Sequence, residues 1–232
     1  MIKVLATGST GNSYLIKTEG ETLLLELGIN FKNIKRDNDF DLSKVVGALV
    51  THEHKDHCKG VADATKCGVD VYMSQGTKEA IGIESHRIHT IEHNKPFKVG
   101  EFTIIPFNTQ HDVNEPLGFL IYHHELGKIL FATDTYFIKN RFANVDHILI
   151  ECNYSEEVLP NLPPWRARVI KSHMSLETLK ETLSSWDLTG TKDITLVHIS
   201  GENGNPDKFQ SEIQELTGIK TFIGESGLII QA

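Results

Sequence analysis

The sequence predicts an α+β protein of four layers, in which two mixed β-sheets pack face to face and helices cover their outer sides (an αββα sandwich). Three observations lead there. Short apolar runs of strand length dominate each half of the chain, and Gly, Asn and Asp turns separate them. Helical stretches with their own caps fall between and after these runs, at Ser175–Trp186 and after Asn205-Pro206. Where one apolar run ends, Thr51-His52-Glu53-His54-Lys55-Asp56-His57 crowds three imidazoles and the Asp56 carboxylate into a strand-to-loop exit. On that architecture the loop would lie at one edge, between the sheets.

Taken in order, Ile2–Ala6 reads as a first strand and not a signal peptide, since turn residues follow at once. In Thr7-Gly8-Ser9-Thr10-Gly11-Asn12-Ser13 two glycines among small hydroxyl residues predict a tight turn. Its N–H groups could cradle an anion, which makes Ser9 and Asn12 candidate substrate contacts, although an ordinary hairpin turn fits equally well. Tyr14–Lys17 and Thr22–Leu27 form a hairpin, Asn30–Arg36 a short helix, and Val45–Val50 a buried strand. Beyond the histidine loop the expectation is helix over Cys58–Lys66, strand over Val69–Met73 and helix over Thr77–Ile81. Strands return at Arg87–Thr90 and Phe97–Phe107, the latter broken at Val99-Gly100. Leu117–His123 pairs with Gly127–Thr133, and His147–Cys152 is a further apolar strand. Ser175 caps a helix with Leu176, Leu179, Leu183 and Trp186 on one face. Asn205 and Pro206 open the last helix, with Phe209, Ile213 and Leu216 inward, and Lys220–Phe222 and Gly227–Ile230 close the chain. No repeat or linker interrupts residues 1–232, so one domain is expected.

Composition sets the bounds. A chain of 232 residues, 39% hydrophobic and 23% charged, can bury one good core. No apolar run approaches the roughly 18 residues that span a bilayer. Cys58, Cys67 and Cys152 are odd in number and widely spaced, which argues against a disulfide framework and for a reducing cytoplasm. Cys58 and Cys152 read as small buried hydrophobes. A net charge of −8 excludes a generic coat for polyanions. It does not exclude an anionic substrate, because bound divalent ions would reverse the sign locally.

The histidine loop carries the chemistry. Imidazole nitrogen and carboxylate oxygen suit borderline divalent ions, zinc first, with manganese or iron as alternatives. His52 and His54 share a face of extended chain, while Asp56 and His57 lie past the bend. One segment cannot aim all four at a single ion, so two adjacent ions are expected. A second feature is Leu162-Pro163-Pro164-Trp165-Arg166-Ala167-Arg168-Val169-Ile170-Lys171, which sets Arg166, Arg168, Lys171 and an indole together in an acidic chain. These groups could track a nucleic-acid strand by phosphate pairing and base stacking. Equally, Trp165 could be core and the charges merely solvated.

The loop resembles the H-x-H-x-D-H motif of the metallo-β-lactamase fold. That resemblance implies further ligands just after apolar strands, and His111, Asp134 and His198 stand there in the required order. By resemblance one ion takes His52, His54 and His111, the other Asp56, His57 and His198, and Asp134 bridges. A water between the ions then supplies a hydroxide for attack on phosphorus or a carbonyl, the step in which Asp56 counts among the catalytic residues. More narrowly the chain is similar to the WalJ/YycJ-type branch of phosphodiesterases, through Thr7–Asn12, Thr51–His57, His111-Asp112, Thr133-Asp134-Thr135, Glu151-Cys152-Asn153, Pro164-Trp165 and Ser172–Ser175. Members are cytoplasmic DNA exonucleases, so the resemblance implies a nuclease with nucleic acid or another phosphodiester as partner and no membrane association. The His173-Met174-Ser175 segment is similar to the one that carries the proton donor of RNase Z enzymes, with Glu151 as its acidic companion. Asp112 would support the ligands from behind. Glu26 stands where relatives carry an aspartate that braces the metal loop, one methylene longer than usual. Hydrolysis of carbonyl esters (thioesters, lactones, β-lactams) on the same ions is the alternative, and a metal-dependent binding protein a third reading.

Overall fold

The computed structural model describes residues 1–231. Within them the first half of the chain builds one sheet and the second half the other. The first sheet contains β1 (Ile2–Ala6), β2 (Ser13–Lys17), β3 (Thr22–Leu25), β4 (Val45–Leu49), β5 (Val71–Met73) and β6 (Ile88–Thr90). The second contains β7 (Phe97–Val99), β8 (Phe102–Asn108), β9 (Leu117–His123), β10 (Gly127–Ala132), β11 (His147–Glu151), β12 (Asp193–Val197) and β13 (Lys220–Ile223). A last short strand, β14 (Ile229–Ile230), crosses back and pairs with β1. Each sheet therefore has seven strands, ordered β14-β1-β2-β3-β4-β5-β6 and β13-β12-β11-β10-β9-β8-β7. Both are mixed: hairpins make β1 to β3 and β7 to β10 antiparallel, and crossovers make β3 to β6 and β10 to β13 parallel.

Helices cover both outer faces: α1 (Phe31–Asp37), α2 (Lys55–Cys58), α3 (Val61–Lys66), α4 (Gln75–Ile81), α5 (Pro164–Ile170), α6 (Leu176–Ser184) and α7 (Pro206–Thr217). Three hydrophobic clusters fill the three spaces between four layers. Along β2, Tyr14 and Ile16 point between the sheets, whereas Leu15 points outward towards Phe31, Ile34 and Val61. The same two-residue period divides Ile129 and Phe131 from Leu130 and Ala132, the latter pair meeting Leu179 of α6 and Phe209 of α7. Burial on both faces explains why these strands read as unbroken apolar runs. At the centre the Tyr14 and Phe131 rings meet edge-on, 5.1 Å apart.

The caps act as the sequence implies. Ser175 accepts a hydrogen bond from the Thr178 N–H and Asn205 from that of Lys208. Four details differ. The helix expected over Cys58–Lys66 divides into α2 and α3 at Gly60, whose N–H donates to Leu27 O (2.6 Å) and whose missing side chain lets it lie against that strand exit. Leu216 is 43% exposed, since α7 buries only Phe209 and Ile213. A 3₁₀ turn (Glu156–Asn161) and α5 occupy a stretch with no expected element. Trp165, at the start of α5, is 68% exposed and so is not core. No helix among the described residues is long and apolar enough to cross a membrane.

Candidate metal centre

Strand register brings the sequence-expected residues to one rim. Leu25 pairs with Leu49, Ala132 with Ile150, and Glu151 with Val197, so Glu26, Thr51, Asp134, Glu151 and His198 leave their strands together. Three of these exits are left-handed at residues other than glycine: Glu26 (φ 63°), Asp134 (φ 48°) and His198 (φ 55°). That conformation costs about 1–2 kcal/mol per residue. It persists where surrounding contacts over-determine it, as functional sites do. Gly28 makes the first exit possible, because a Cβ there would lie only 1.6 Å from Asp56 O.

The ligand-type atoms form two groups that share Asp134. In the first, His52 Nε2 lies 3.1 Å from His54 Nδ1, which lies 3.4 Å from His111 Nε2. Asp134 Oδ2 is 3.7 Å from His52 Nε2 and 3.9 Å from His111 Nε2. In the second, Asp56 Oδ2 lies 3.5 Å from His57 Nε2 and 3.7 Å from His198 Nε2, while Asp134 stands 3.4 and 3.5 Å from the same two nitrogens. Ligands about 2.0–2.1 Å from a tetrahedral ion are separated by roughly 3.3–3.5 Å. Both groups are near that spacing. His198 Nε2 is buried without a hydrogen-bond partner, a donor atom with an unmet need. The donor set and its spacing fit divalent ions.

A further ring of contacts fixes these side chains. Glu26 accepts from the Thr51 hydroxyl (2.5 Å) and lies 3.2 Å from His57 Nδ1; the same hydroxyl is 2.9 Å from His52 Nδ1. The longer glutamate thus reaches two parts of the histidine loop from its left-handed perch. His111 Nδ1 faces Ser172 O (3.2 Å), and its loop is anchored where Gln110 N–H donates to the Thr135 hydroxyl. Glu151 is the most connected. Its Oε1 lies 2.7 Å from His173 Nδ1 and 3.0 Å from His198 Nδ1, while Oε2 accepts from Thr135 and Met174 N–H groups.

The electrostatics follow from this crowding. Burial alone would lower the pKa of His57 and His198, but the Asp134 carboxylate and its neighbours outweigh it and leave both raised, His198 to about 10. His52 has burial and the His57 charge against it and is pushed well down. Burial would raise Asp134 and Asp56, yet the facing histidines hold both below the usual carboxylate range. For His173, Glu151 outweighs burial and leaves the imidazole above its ordinary value. The carboxylates among these histidines favour cationic partners, protons or metal ions alike.

Three clefts open onto it. One of about 560 Å³ is lined by His54, His111, Asp112, Trp165, Arg168 and His173. Another, of about 240 Å³, lies on the other side of α5 and is lined by Ser9, Asn153, Arg166, His173, His198, Ser200 and Asn203 among others. The third, about 680 Å³, includes Ser9, Thr10, Lys55, Asp56 and Lys59. Ser9, Arg166 and Arg168 therefore border the centre, whereas Lys171 is exposed and lines none of the three. Asn12 is not open to a substrate: it is fully buried, bonded to Gly8 and Asp56 O, with its amide nitrogen 3.1 Å from His57 Nε2. Asp112 is exposed and forms no hydrogen bond to a ligand among the described residues. Sequence reasoning missed Asn153, which donates to His198 O (2.8 Å), and Lys55 and Lys59, whose four-residue spacing on either side of His57 was the available signal.

Away from the centre, His147 pairs with Asp193 (2.8 Å) at the opposite ends of β11 and β12, and His123, His124 and Glu125 meet in the β9–β10 turn. Cys58 and Cys152 are buried and free, as expected, and Cys67 is free and exposed.

Comparison with known proteins agrees with this geometry. A family model described as a beta-lactamase superfamily domain matches residues 31–199. Exodeoxyribonuclease WalJ of Streptococcus pneumoniae is 31% identical over 86% of this chain and 81% of its own length. Exodeoxyribonuclease YycJ of Bacillus anthracis is 28% identical over 96% of this chain and 91% of its own length. Among solved structures, the metallo-beta-lactamase fold protein YhfI from Bacillus subtilis superimposes with a TM-score of 0.78 at 16% identity, over 100% of this chain and 98% of that one. On the matched family, the fold and the donor set, the chain belongs to the beta-lactamase superfamily and is a metal-dependent hydrolase.

Proposed function

We propose that the chain is a phosphodiesterase that cuts nucleic acid, DNA in the first instance, with two divalent ions, zinc foremost, shared through Asp134. The observation that carries this reading is the His173–Glu151 pair beside the ligands. Glu151 occupies His173 Nδ1, which leaves Nε2 as the nitrogen free to give a proton. The His173 ring stacks against that of His198 (centroids 5.3 Å, 15° between planes) and lines the clefts on both sides of α5. A proton donor there serves an alkoxide leaving group, as a phosphodiester has, whereas a thioester, whose thiolate leaves unprotonated, needs it far less. The ions, when bound, supply an acidified water and neutralise charge on phosphate oxygens. His52, His54 and His111 would hold one and Asp56, His57 and His198 the other. Exposed Trp165 beside Arg168 offers a stacking face and a phosphate partner along one cleft. That two relatives are exodeoxyribonucleases supports the same substrate class. Three free thiols suit a cytoplasmic setting, and one domain over residues 1–232 suffices for the site.

The test is a hydrolysis panel of bis-p-nitrophenyl phosphate, a single-stranded oligodeoxynucleotide, a thioester and a lactone, with and without chelator. Phosphodiesters should be turned over, with activity lost to chelator and restored by zinc or manganese. Turnover confined to the thioester or the lactone would sink the reading.

A further inference from the structure

The 240 Å³ cavity beneath α5 begins at His173 and His198 and runs to the loop after β12. Its polar walls are hydroxyls (Ser9, Ser200), amides (Asn153, Asn203) and the Arg166 guanidinium; no carboxylate lines it. Such a surface matches the oxygens of a phosphate, and guanidinium is the cation that matches them best in shape. Arg166 is nonetheless already paired, with Glu202. Glu202 stands between Ser200 and Asn203 on a loop fixed from within: Ser200 N–H donates to Asn153 O, and Asn203 donates to the Ser200 hydroxyl. The loop that carries Glu202 is held to the same asparagine that holds His198. The pair is accessible, with 39% of the Arg166 and 71% of the Glu202 side chain exposed, and an ion pair so placed is weak enough to be exchanged.

We infer that Arg166 receives the phosphate next along the strand from the scissile one, and that Glu202 is a stand-in anion which the substrate must displace. This rests on the phosphodiesterase reading and deepens it. A ligand with a second phosphate regains what it breaks, by replacing carboxylate with phosphate on the same guanidinium. A ligand with one phosphate at the ions gains nothing from the exchange. The pair therefore discriminates polynucleotides from small phosphodiesters, and Glu202 is a specificity-determining residue that touches no reacting atom.

Glu202→Gln frees Arg166 and removes a like charge from the path of the strand. It should lower KM for a single-stranded oligodeoxynucleotide about two- to fivefold, the range that an exposed ion pair spans. Turnover number, and both constants for bis-p-nitrophenyl phosphate, should stay unchanged. Arg166→Ala should raise the oligonucleotide KM, and adding Glu202→Gln to it should do nothing more. Improved affinity is a result that a misfolded variant cannot imitate. The same four proteins, metal-loaded and carrying His173→Ala to slow turnover, give an independent readout by fluorescence anisotropy of a labelled oligonucleotide. An unchanged or raised KM in Glu202→Gln, or an equal gain without Arg166, would overturn the inference. If the enzyme turns over no phosphodiester, the broader reading fails, and the anisotropy series alone decides whether Arg166 and Glu202 act as a phosphate receptor and its stand-in.

Discussion

At the residue scale, Glu151 has two histidines to serve: one expected to bind an ion and one expected to give a proton. Truncating His173 to alanine should therefore differ from disturbing Glu151. His173→Ala should lower kcat on phosphodiesters with poor leaving groups by roughly 10²–10⁴, with little loss on p-nitrophenyl esters and metal content intact. An equal loss on both substrates, or lost metal, would assign the residue a structural part. The pH profile gives the second view. A general acid works in its protonated form, and Glu151 holds the His173 pKa above the ordinary value. The His173-dependent activity should thus be present below that raised pKa and fall as pH rises through it. In Glu151→Gln the alkaline limb should move to lower pH, and metal affinity should drop about 10–100-fold through His198. A limb that stays put would remove Glu151 from the role. The candidate ligands were legible because the H-x-H-x-D-H resemblance directs the search to a His or Asp just after an apolar strand, and such residues stand there in order. Asn153 and Glu202 were not, since an amide or a carboxylate in a polar loop gains its meaning only from the neighbour that folding supplies.

At the scale of elements, α5 shows where patterning stops. Pro164 suits the first turn of a helix, but Pro160 and Pro163 crowd the approach to it and only Ile170 is buried within it, so no apolar stripe announces it. Its outward Trp165 is unusual for so large a side chain and sits over a cleft, which tertiary placement alone reveals. Backbone strain is similarly silent in sequence. The three left-handed exits at Glu26, Asp134 and His198 carry side chains the centre needs, so glycine cannot relieve them. Phe40, just after α1, is also left-handed (φ 57°), but it is 63% exposed and far from being a ligand. Phe40→Gly should therefore stabilise the protein by about 0.5–1 kcal/mol, the relief of a left-handed side chain less the entropy of glycine. The check is a rise in the urea midpoint at constant m; a fall would mean that the ring has packing worth more than the strain.

For the whole molecule, the four layers were legible because buried strands, caps and turns all point to one architecture. The pairing of β14 with β1 was not, because a two-residue strand carries no periodicity. Loading the centre should stabilise the assembled sandwich. With ions at a thousand times their Kd, each site adds about 4 kcal/mol by mass action. About two ions per chain are expected, and Asp134→Ala should impair both sites together, measured by metal analysis beside a thermal melt. A stoichiometry that stays near one would argue for a mononuclear centre. The division of the donors between sheets leads further. His52, His54, Asp56 and His57 precede the exposed stretch Glu92–Pro96 that links β6 to β7, while His111, Asp134 and His198 follow it. Cut there, neither fragment owns a complete ion site, yet the C-terminal one still carries the strand that clasps β1. The enzyme is thus a natural two-input device: each half should be silent alone, and hydrolysis should report, as an AND gate does, that both have met in register.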